Sequence, residues 1–396
     1  MKPSRYNHII RRRNQPQLLY NSRQHVFLDM DNGQAAIFNG LSLPFTYNLI
    51  NQKDPPVAVL ISKLVENGFM VDDHLDELKE LEVLGHLYRF DRSRLDLWIN
   101  LSTRCDQLCP DCPYDASRSD LSETAQETIY RIIAQRIPGI KTLQIYWWGG
   151  EPALAWDLAK KIDQRIAGMA EQYGFAYSYQ TITNGSSQHL KAIDDLVRPN
   201  ELYVNLESAH LDKLSDQPRV LLGTIQQALK NRYRLPAGSR IRLIKNSPGP
   251  KLCRNVNQLC RSAPNLEDEE IEHIQSLLDS GLAVDNLPNP KMVACQAVDP
   301  QSFIIDVAGN IYKCWEDLGS PGKSLNGKID QPLDPQVFRW LDWNPYHEAH
   351  CRLCNIFPWC LGGCRAKPPD VDCSMWHYAL REMLALSAQA NKNGAL

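Results

Sequence analysis

The chain has 396 residues, too many for one ordinary core, so two or three domains are expected. A formal net charge of -3 implies neither a nucleic-acid partner nor an acidic substrate, and the run Arg11, Arg12, Arg13 is read as solvated surface. No stretch reaches the ~20 apolar residues of a membrane span, and Met1 to Arg13 lacks the apolar core of a signal segment. A cytoplasmic protein without a membrane or nucleic-acid partner is expected. Its twelve cysteines, about 3% of residues, are too sparse for a disulfide scaffold, and cytosolic thiols stay reduced. Metal binding becomes their leading explanation.

Residues 1–92 read as a separate unit. Val26 to Met30 and Gln34 to Phe38 flank Asn32-Gly33, which predicts a hairpin. Val57, Leu60, Ile61, Leu64 and Val65 share a helical face that Gly68 stops. A second helix is expected from Asp72 or Asp73 and carries Leu75, Leu78 and Leu81. A hairpin with short helices outlines a winged helix.

From Arg94 strands alternate with helices. The expected strands are Leu95 to Leu101, Thr142 to Trp148, Ala176 to Thr183, Leu202 to Glu207 and Ile241 to Ile244, with a weak one near Leu282. The expected helices are Leu121 to Arg136, Leu154 to Tyr173, Gln188 to Val197, Val220 to Tyr233 and Leu266 to Leu278. Such alternation predicts βα units and a parallel sheet, open or closed into a barrel, with ligands at the carboxyl ends of its strands. After Pro290 the chain turns Cys-rich and Pro-rich, a composition that could hardly build a core without metal. It ends in an expected helix, Met375 to Leu386.

Cys105-x3-Cys109-x2-Cys112 follows the first of these strands directly. Three thiolates on one loop can hold three irons of a four-iron cluster and leave the fourth iron open to a non-protein ligand; a zinc site is the alternative. The next strand ends in Trp147-Trp148-Gly149-Gly150-Glu151-Pro152. Glycines let a backbone approach closely, and exposed carbonyls with a carboxylate suit an ammonium group. At the C-terminus, Cys295-x13-Gly309-x4-Cys314 precedes Cys351-x2-Cys354-x5-Cys360-x3-Cys364 and then Cys373. C-x2-C pairs also hold structural zinc, but a zinc ribbon rarely adds the outlying Cys295, Cys314 and Cys373.

With these motifs the chain resembles the radical S-adenosylmethionine superfamily, and its cysteine-rich end resembles the SPASM extension of enzymes that modify peptides and proteins. The likeness covers about 280 residues. It implies a partial (β/α)6 barrel over 93–290, an auxiliary-cluster domain with a C-terminal helix over 291–396, and three 4Fe-4S clusters. S-adenosylmethionine would bind the Cys105, Cys109 and Cys112 cluster, with Gly149, Gly150, Glu151 and Pro152 at its methionine amine. Weaker matches are Asn184 in Thr183-Asn184-Gly185, and Asn205 and Glu207 in Asn205-Leu206-Glu207-Ser208, where the family has Ser-Leu-Asp-Gly. Arg219 is a candidate for the cofactor carboxylate. Asp111 replaces the family's usual aromatic, and Tyr114 is the candidate substitute.

The same resemblance allots Cys295, Cys314 and Cys364 to one auxiliary cluster and Cys351, Cys354, Cys360 and Cys373 to the other. The first then has three ligands. Either Cys253 or Cys260 completes it, or the site is open to substrate. The N-terminal unit looks like the leader-binding domains of peptide maturases, although it could simply brace the barrel. The implied partners are a ribosomally synthesised precursor peptide and a flavodoxin- or ferredoxin-type electron donor. The function implied is oxidative peptide modification, such as a carbon-carbon or thioether cross-link. The alternatives are a sulfatase-maturase-like oxidation of Ser or Cys to formylglycine, and a zinc-stabilised binding module. Glu207, His210 and Asp285 lie near strand ends, and nothing promotes any of them to general base.

Overall fold

The computed structural model describes residues 1–11, 16–41, 53–106, 118–183, 201–205, 240–244, 271, 275, 289–363, 365 and 380–392. The N-terminal unit holds β1 (Lys2–Pro3), β2 (Asn7–Ile10), β3 (Gln17–Asn21), β4 (Val26–Met30) and β5 (Met70–Val71). Its helices are α1 (Asn32–Leu41), α2 (Pro55–Glu66) and α3 (Glu77–Arg89). Strands β2, β3 and β4 form an antiparallel sheet, and β1 pairs with β5.

The hairpin lies elsewhere than expected. Val26–Met30 is a strand, but it pairs with Gln17–Asn21, and Gln34 to Phe38 is helical. Asp31 and Gln34 explain this, because each side chain accepts the other's backbone N–H, at 2.8 and 3.1 Å. That reciprocal capping box starts a helix. Ala35, Phe38 and Leu41 then fall on one buried face. The true turn follows Asn21, whose Oδ1 accepts the N–H groups of Arg23 and Gln24. Similarly, α3 starts at Glu77 rather than near Asp72, because Asp76 caps it by accepting the Lys79 N–H. Helix α2 agrees with expectation, and Gly68 beyond its end has φ of +72°.

The second unit is a seven-stranded sheet in the order β10-β9-β8-β7-β6-β11-β12. Its strands are β6 (Arg94–Ser102), β7 (Thr142–Gly149), β8 (Ala176–Thr183), β9 (Glu201–Asn205), β10 (Arg240–Ile244), β11 (Ser302–Ile305) and β12 (Ile311–Tyr312). All neighbours are parallel except β11 and β12. Helices α4 (Glu123–Arg136) and α5 (Trp156–Tyr173) agree with the expected βα repeat. Of the expected helix at Leu266 to Leu278, Ile271 and Gln275 are helical. The expected helices at 188–197 and 220–233 and the weak strand near Leu282 lie outside the described residues.

Alternation sets the two faces of the sheet. Leu95, Leu97, Ile99 and Leu101 of β6 join Leu143, Ile145 and Trp147 of β7 in the main core with α4 and α5. The opposite face carries aromatic rings. Trp98 stacks on Tyr146 at 3.8 Å, and Trp315 meets Trp98 and Trp148 edge-on at 5.4 and 4.6 Å. Asp96 lies on that face at the start of β6. Burial pushes its carboxyl up to about 6, Asp299 adds to the rise, and Arg94 and Lys313 oppose it.

The sheet continues past residue 290, since β11 pairs with β6 and places Phe303 and Ile305 in the main core. The final helix runs over Leu380–Lys392, past the expected end at Leu386, and Met383, Leu384 and Leu386 join the same core. A second cluster joins the two ends of the chain, with Tyr6, Leu78 and Leu81 packed among Cys314, Cys351, Trp340, Tyr346 and Phe357. Arg89 closes this seam. It donates to the carbonyls of Val298, Trp340, Leu341 and Trp343 at 2.5–2.9 Å. Among the described residues no helix is long and apolar enough to cross a membrane.

Replacing Arg89 by Met strips four buried carbonyls of their donor and is expected to lower stability by about 3 kcal/mol or more. Replacing exposed Arg165, paired with Glu127, is expected to change it by under about 1 kcal/mol. Equal losses in urea unfolding would refute the seam. For Asp96, the folded chain binds the proton more tightly than the unfolded one, whose carboxyl titrates near 3.8. Stability is therefore expected to fall as pH rises from about 4 to about 6 and to stay lowered above that. Asp96→Asn should remove this slope and raise stability at pH 7 by up to about 3 kcal/mol; a profile unchanged by the substitution would show an ordinary carboxylate.

Candidate active site at the strand ends

Strands β6 and β7 are parallel neighbours, so the segments leaving their carboxyl ends meet. Cys105 leaves β6 after Ser102, and Gly149-Gly150-Glu151-Pro152 leaves β7. The Gly150 N–H donates to the Ser102 carbonyl and the Glu151 N–H to the Arg104 carbonyl, both at 2.7 Å. A Cβ on Gly150 would strike the carbonyls of Arg104 and Thr103. Gly149 has φ of +144°, and a Cβ there would strike the Ser102 carbonyl. Both glycines are thus required by the closeness of the two backbones.

Glu151, whose carboxylate is expected to meet an ammonium group, also holds the turn that it starts. It is fully buried, and its Oε1 accepts the Ala153 N–H at 2.9 Å, capping the short turn of helix Pro152–Ala155.

The cysteine loop is closed at its base by contacts that sequence reasoning missed. Asp120 accepts Ser102 Oγ at 2.7 Å and both Nε and Nη2 of Arg104 at 2.8 Å. Arg104 also reaches the Leu154 carbonyl at 2.5 Å, tying the loop to the turn after Pro152. Thr103 and Ser119 exchange two further hydrogen bonds at 2.9 Å. Asp120 lies fifteen residues past Cys105, and a short bridge between Ser102 and Asp120 helps to bring it back. Cys105 is half-buried. Cys109, Cys112, Tyr114, Asn184, Glu207 and Arg219 lie outside the described residues, as does the side chain of Asn205.

Of the C-terminal cysteines, the structure gathers Cys295, Cys314, Cys351 and Cys354 around the second apolar cluster. Cys314 and Cys351 are buried there. Gly309 has φ of +90° in the turn between β11 and β12, where a Cβ would come within 2.9 Å of the Ala125 Cα of α4. The glycine of the cysteine pattern therefore serves the turn that delivers Cys314. Cations surround this region. Burial pushes the Lys291 amine down to about 8, while the sulfurs of Cys360 and Cys295 act to raise it. Lys313, wholly buried, is likewise pushed down to about 8 by burial, with Asp299 and Cys295 acting to raise it. Lys313 Nζ donates to the carbonyls of Asp299 and Ser302. Arg89 also feels Cys295. Positive groups around sulfur suit thiolates, the form that binds metal.

Among the described residues no group of three or more His, Cys, Asp or Glu side chains converges as metal ligands. Cys364 and Cys373, and likewise Cys253 and Cys260, lie outside them.

No family model and no curated protein matches the chain. Its structural neighbours include Streptococcus suis SuiB bound to S-adenosylmethionine, at 15% identity over 94% of this chain and 98% of that one, with a TM-score of 0.41. Another is the same protein bound to precursor peptide SuiA, at 14% identity over the same shares, with a TM-score of 0.39. A third is anSMEcpe with bound AdoMet and Kp18Cys peptide, at 15% identity over 76% of this chain and all of that one, with a TM-score of 0.45.

Gly150→Ala in the metal-free chain is expected to lower stability by about 2 kcal/mol or more, because backbone rather than a flexible side chain must yield. Gly168→Ala, in α5 with open space around it, is expected to raise stability by about 0.5–1 kcal/mol. Thermal unfolding of both variants checks the pair, and similar shifts would remove the close approach as the reason for Gly150.

Proposed function

We propose that this chain is a radical S-adenosylmethionine enzyme that installs an oxidative modification on a peptide. One observation carries the proposal: a Gly-Gly-Glu-Pro turn presses its backbone against Ser102 to Arg104, the segment of the adjacent parallel strand's exit that leads into the three-cysteine sequence. In this reading Cys105, Cys109 and Cys112 hold a 4Fe-4S cluster, and the backbone of Gly149 and Gly150 receives the cofactor's ammonium group. Asn184, Asn205, Glu207, Arg219 and Tyr114 complete the cofactor site. When bound, the cluster and S-adenosylmethionine supply a 5'-deoxyadenosyl radical that takes a hydrogen atom from a substrate C–H bond.

The chain's own part is placement and exclusion. Asp120 and Arg104 fix both ends of the cysteine loop, and Glu151 holds the turn after Gly150. The aromatic face of Trp98, Tyr146, Trp148 and Trp315 keeps water from one wall of the sheet. The cysteines from Cys295 to Cys373 hold two auxiliary clusters in a SPASM-like domain, and Lys291, Lys313 and Arg89 offset their negative charge. The substrate is a ribosomally synthesised precursor peptide, and its leader adds a strand to the β2-β3-β4 sheet of a winged-helix-like unit. A flavodoxin- or ferredoxin-type protein would deliver the electron that starts turnover, the auxiliary clusters would accept the one left when the substrate radical closes the new bond and loses a proton, and the product is a carbon-carbon or thioether cross-link.

Anaerobically reconstituted protein is expected to hold about 12 irons, as three four-iron clusters require. After reduction it should convert S-adenosylmethionine to 5'-deoxyadenosine, and Cys105→Ala should abolish that product. Stoichiometric zinc in place of iron would favour the binding module. An iron-loaded chain that releases no 5'-deoxyadenosine, even with the peptide encoded beside its gene, would overturn the proposal.

A further inference from the structure

The outer face of α3 is apolar where the free side of a braced helix is normally polar. Its inner face carries Leu78, Leu81 and Arg89 into the seam with the cysteine-rich segment. On the outer face Val83, Leu84, Leu87 and Tyr88 are 47%, 40%, 68% and 40% exposed, and Phe90, just past the helix, is 50% exposed. Val83 with Leu87 and Leu84 with Tyr88 are spaced by four, and Phe90 lies three beyond Leu87, so the five form one stripe. Together they expose roughly 400–500 Å2 of mostly apolar surface, as much as the largest patch on a typical monomer. Val59, Tyr173 and Leu333 are exposed singly and need no such account.

The ends of the stripe carry opposite charge. Exposed Asp76 stands at its N-terminal end, where Glu80 is already paired with Arg23 at 2.7 Å, and exposed Arg92 stands beyond Phe90. Lys79, also at the N-terminal end, is paired with Glu82 at 2.9 Å. A two-fold interface must be complementary to itself. An apolar centre with acid at one end and base at the other meets that condition when two copies lie antiparallel.

We propose that α3 is the two-fold contact of a homodimer, its stripe packed against the same stripe of a second copy. Arg92 of each copy then faces Asp76 of the other, and the two helix dipoles oppose each other favourably. The stripe supplies roughly half of the ~800 Å2 per side of a standard interface, and a polar rim supplies the rest. The inference is independent of the proposed chemistry.

Sedimentation velocity of the full chain over roughly 1–100 μM tests it, a range that spans micromolar affinity. A species of twice the 45.1 kDa chain mass is expected at the upper end. Leu87→Glu is expected to weaken association about tenfold or more, with far-UV circular dichroism and melting unchanged. Leu333→Glu, at another exposed site, should leave association intact. Arg92→Glu should weaken the dimer. A monomer throughout the range, or a dimer indifferent to Leu87→Glu, overturns the proposal. So does a monomer that instead binds a flavodoxin-type donor through Leu87.

Discussion

The contact on which the rest of the site depends is backbone against backbone. Gly149 and Gly150 approach the segment Ser102 to Arg104 so closely that neither position has room for a Cβ. Two N–H groups from the turn after β7 close on carbonyls of the segment after β6. This contact costs conformational freedom, because glycine loses more on folding than other residues. In exchange, two loops that leave separate strands become one surface. A ligand bridging them meets groups already in place, and that reduces the entropy lost on binding.

Around that surface, charge is arranged by distance from water. The base of the cysteine loop is held by a half-exposed ion pair, Arg104 with Asp120, whose two parallel hydrogen bonds give direction more than strength. The cysteines near the second cluster lie where Lys313 is wholly buried and Arg89 spends its donors on carbonyls. Burying cations without negative partners is unfavourable. Asp299 and, when ionised, the Cys295 sulfur provide those partners for Lys313.

The N-terminal unit and the cysteine-rich segment are not independent bodies. Tyr6, Leu78 and Leu81 share a core with Cys314 and Cys351, and Ser22 Oγ donates to the Asn355 carbonyl at 2.7 Å. His8 stacks on Trp359, which precedes Cys360, at 5.7 Å. A peptide bound on the N-terminal sheet would therefore act on a surface already joined to the cysteines. The same seam means that removing the first unit strips apolar cover from the last, whatever the peptide does.

The sequence by itself determined strands β6 to β10 of the parallel sheet, because alternating side chains, as on β6 and β7, allow only one buried face. It also offered the cysteines as candidate metal ligands, since their spacing can be read before any fold is known. Local competition decided the rest of the secondary structure. Asn32-Gly33 favours a turn, but the capping box of Asp31 and Gln34 and the face of Ala35, Phe38 and Leu41 favour a helix, and packing chose the helix. Only the tertiary structure decided that Asp120 returns to Arg104, that Arg89 spans to Val298 and Trp343, and that β11 extends the sheet beside β6. Those contacts join residues far apart in the chain, and no local pattern encodes a partner that only folding brings within hydrogen-bond reach.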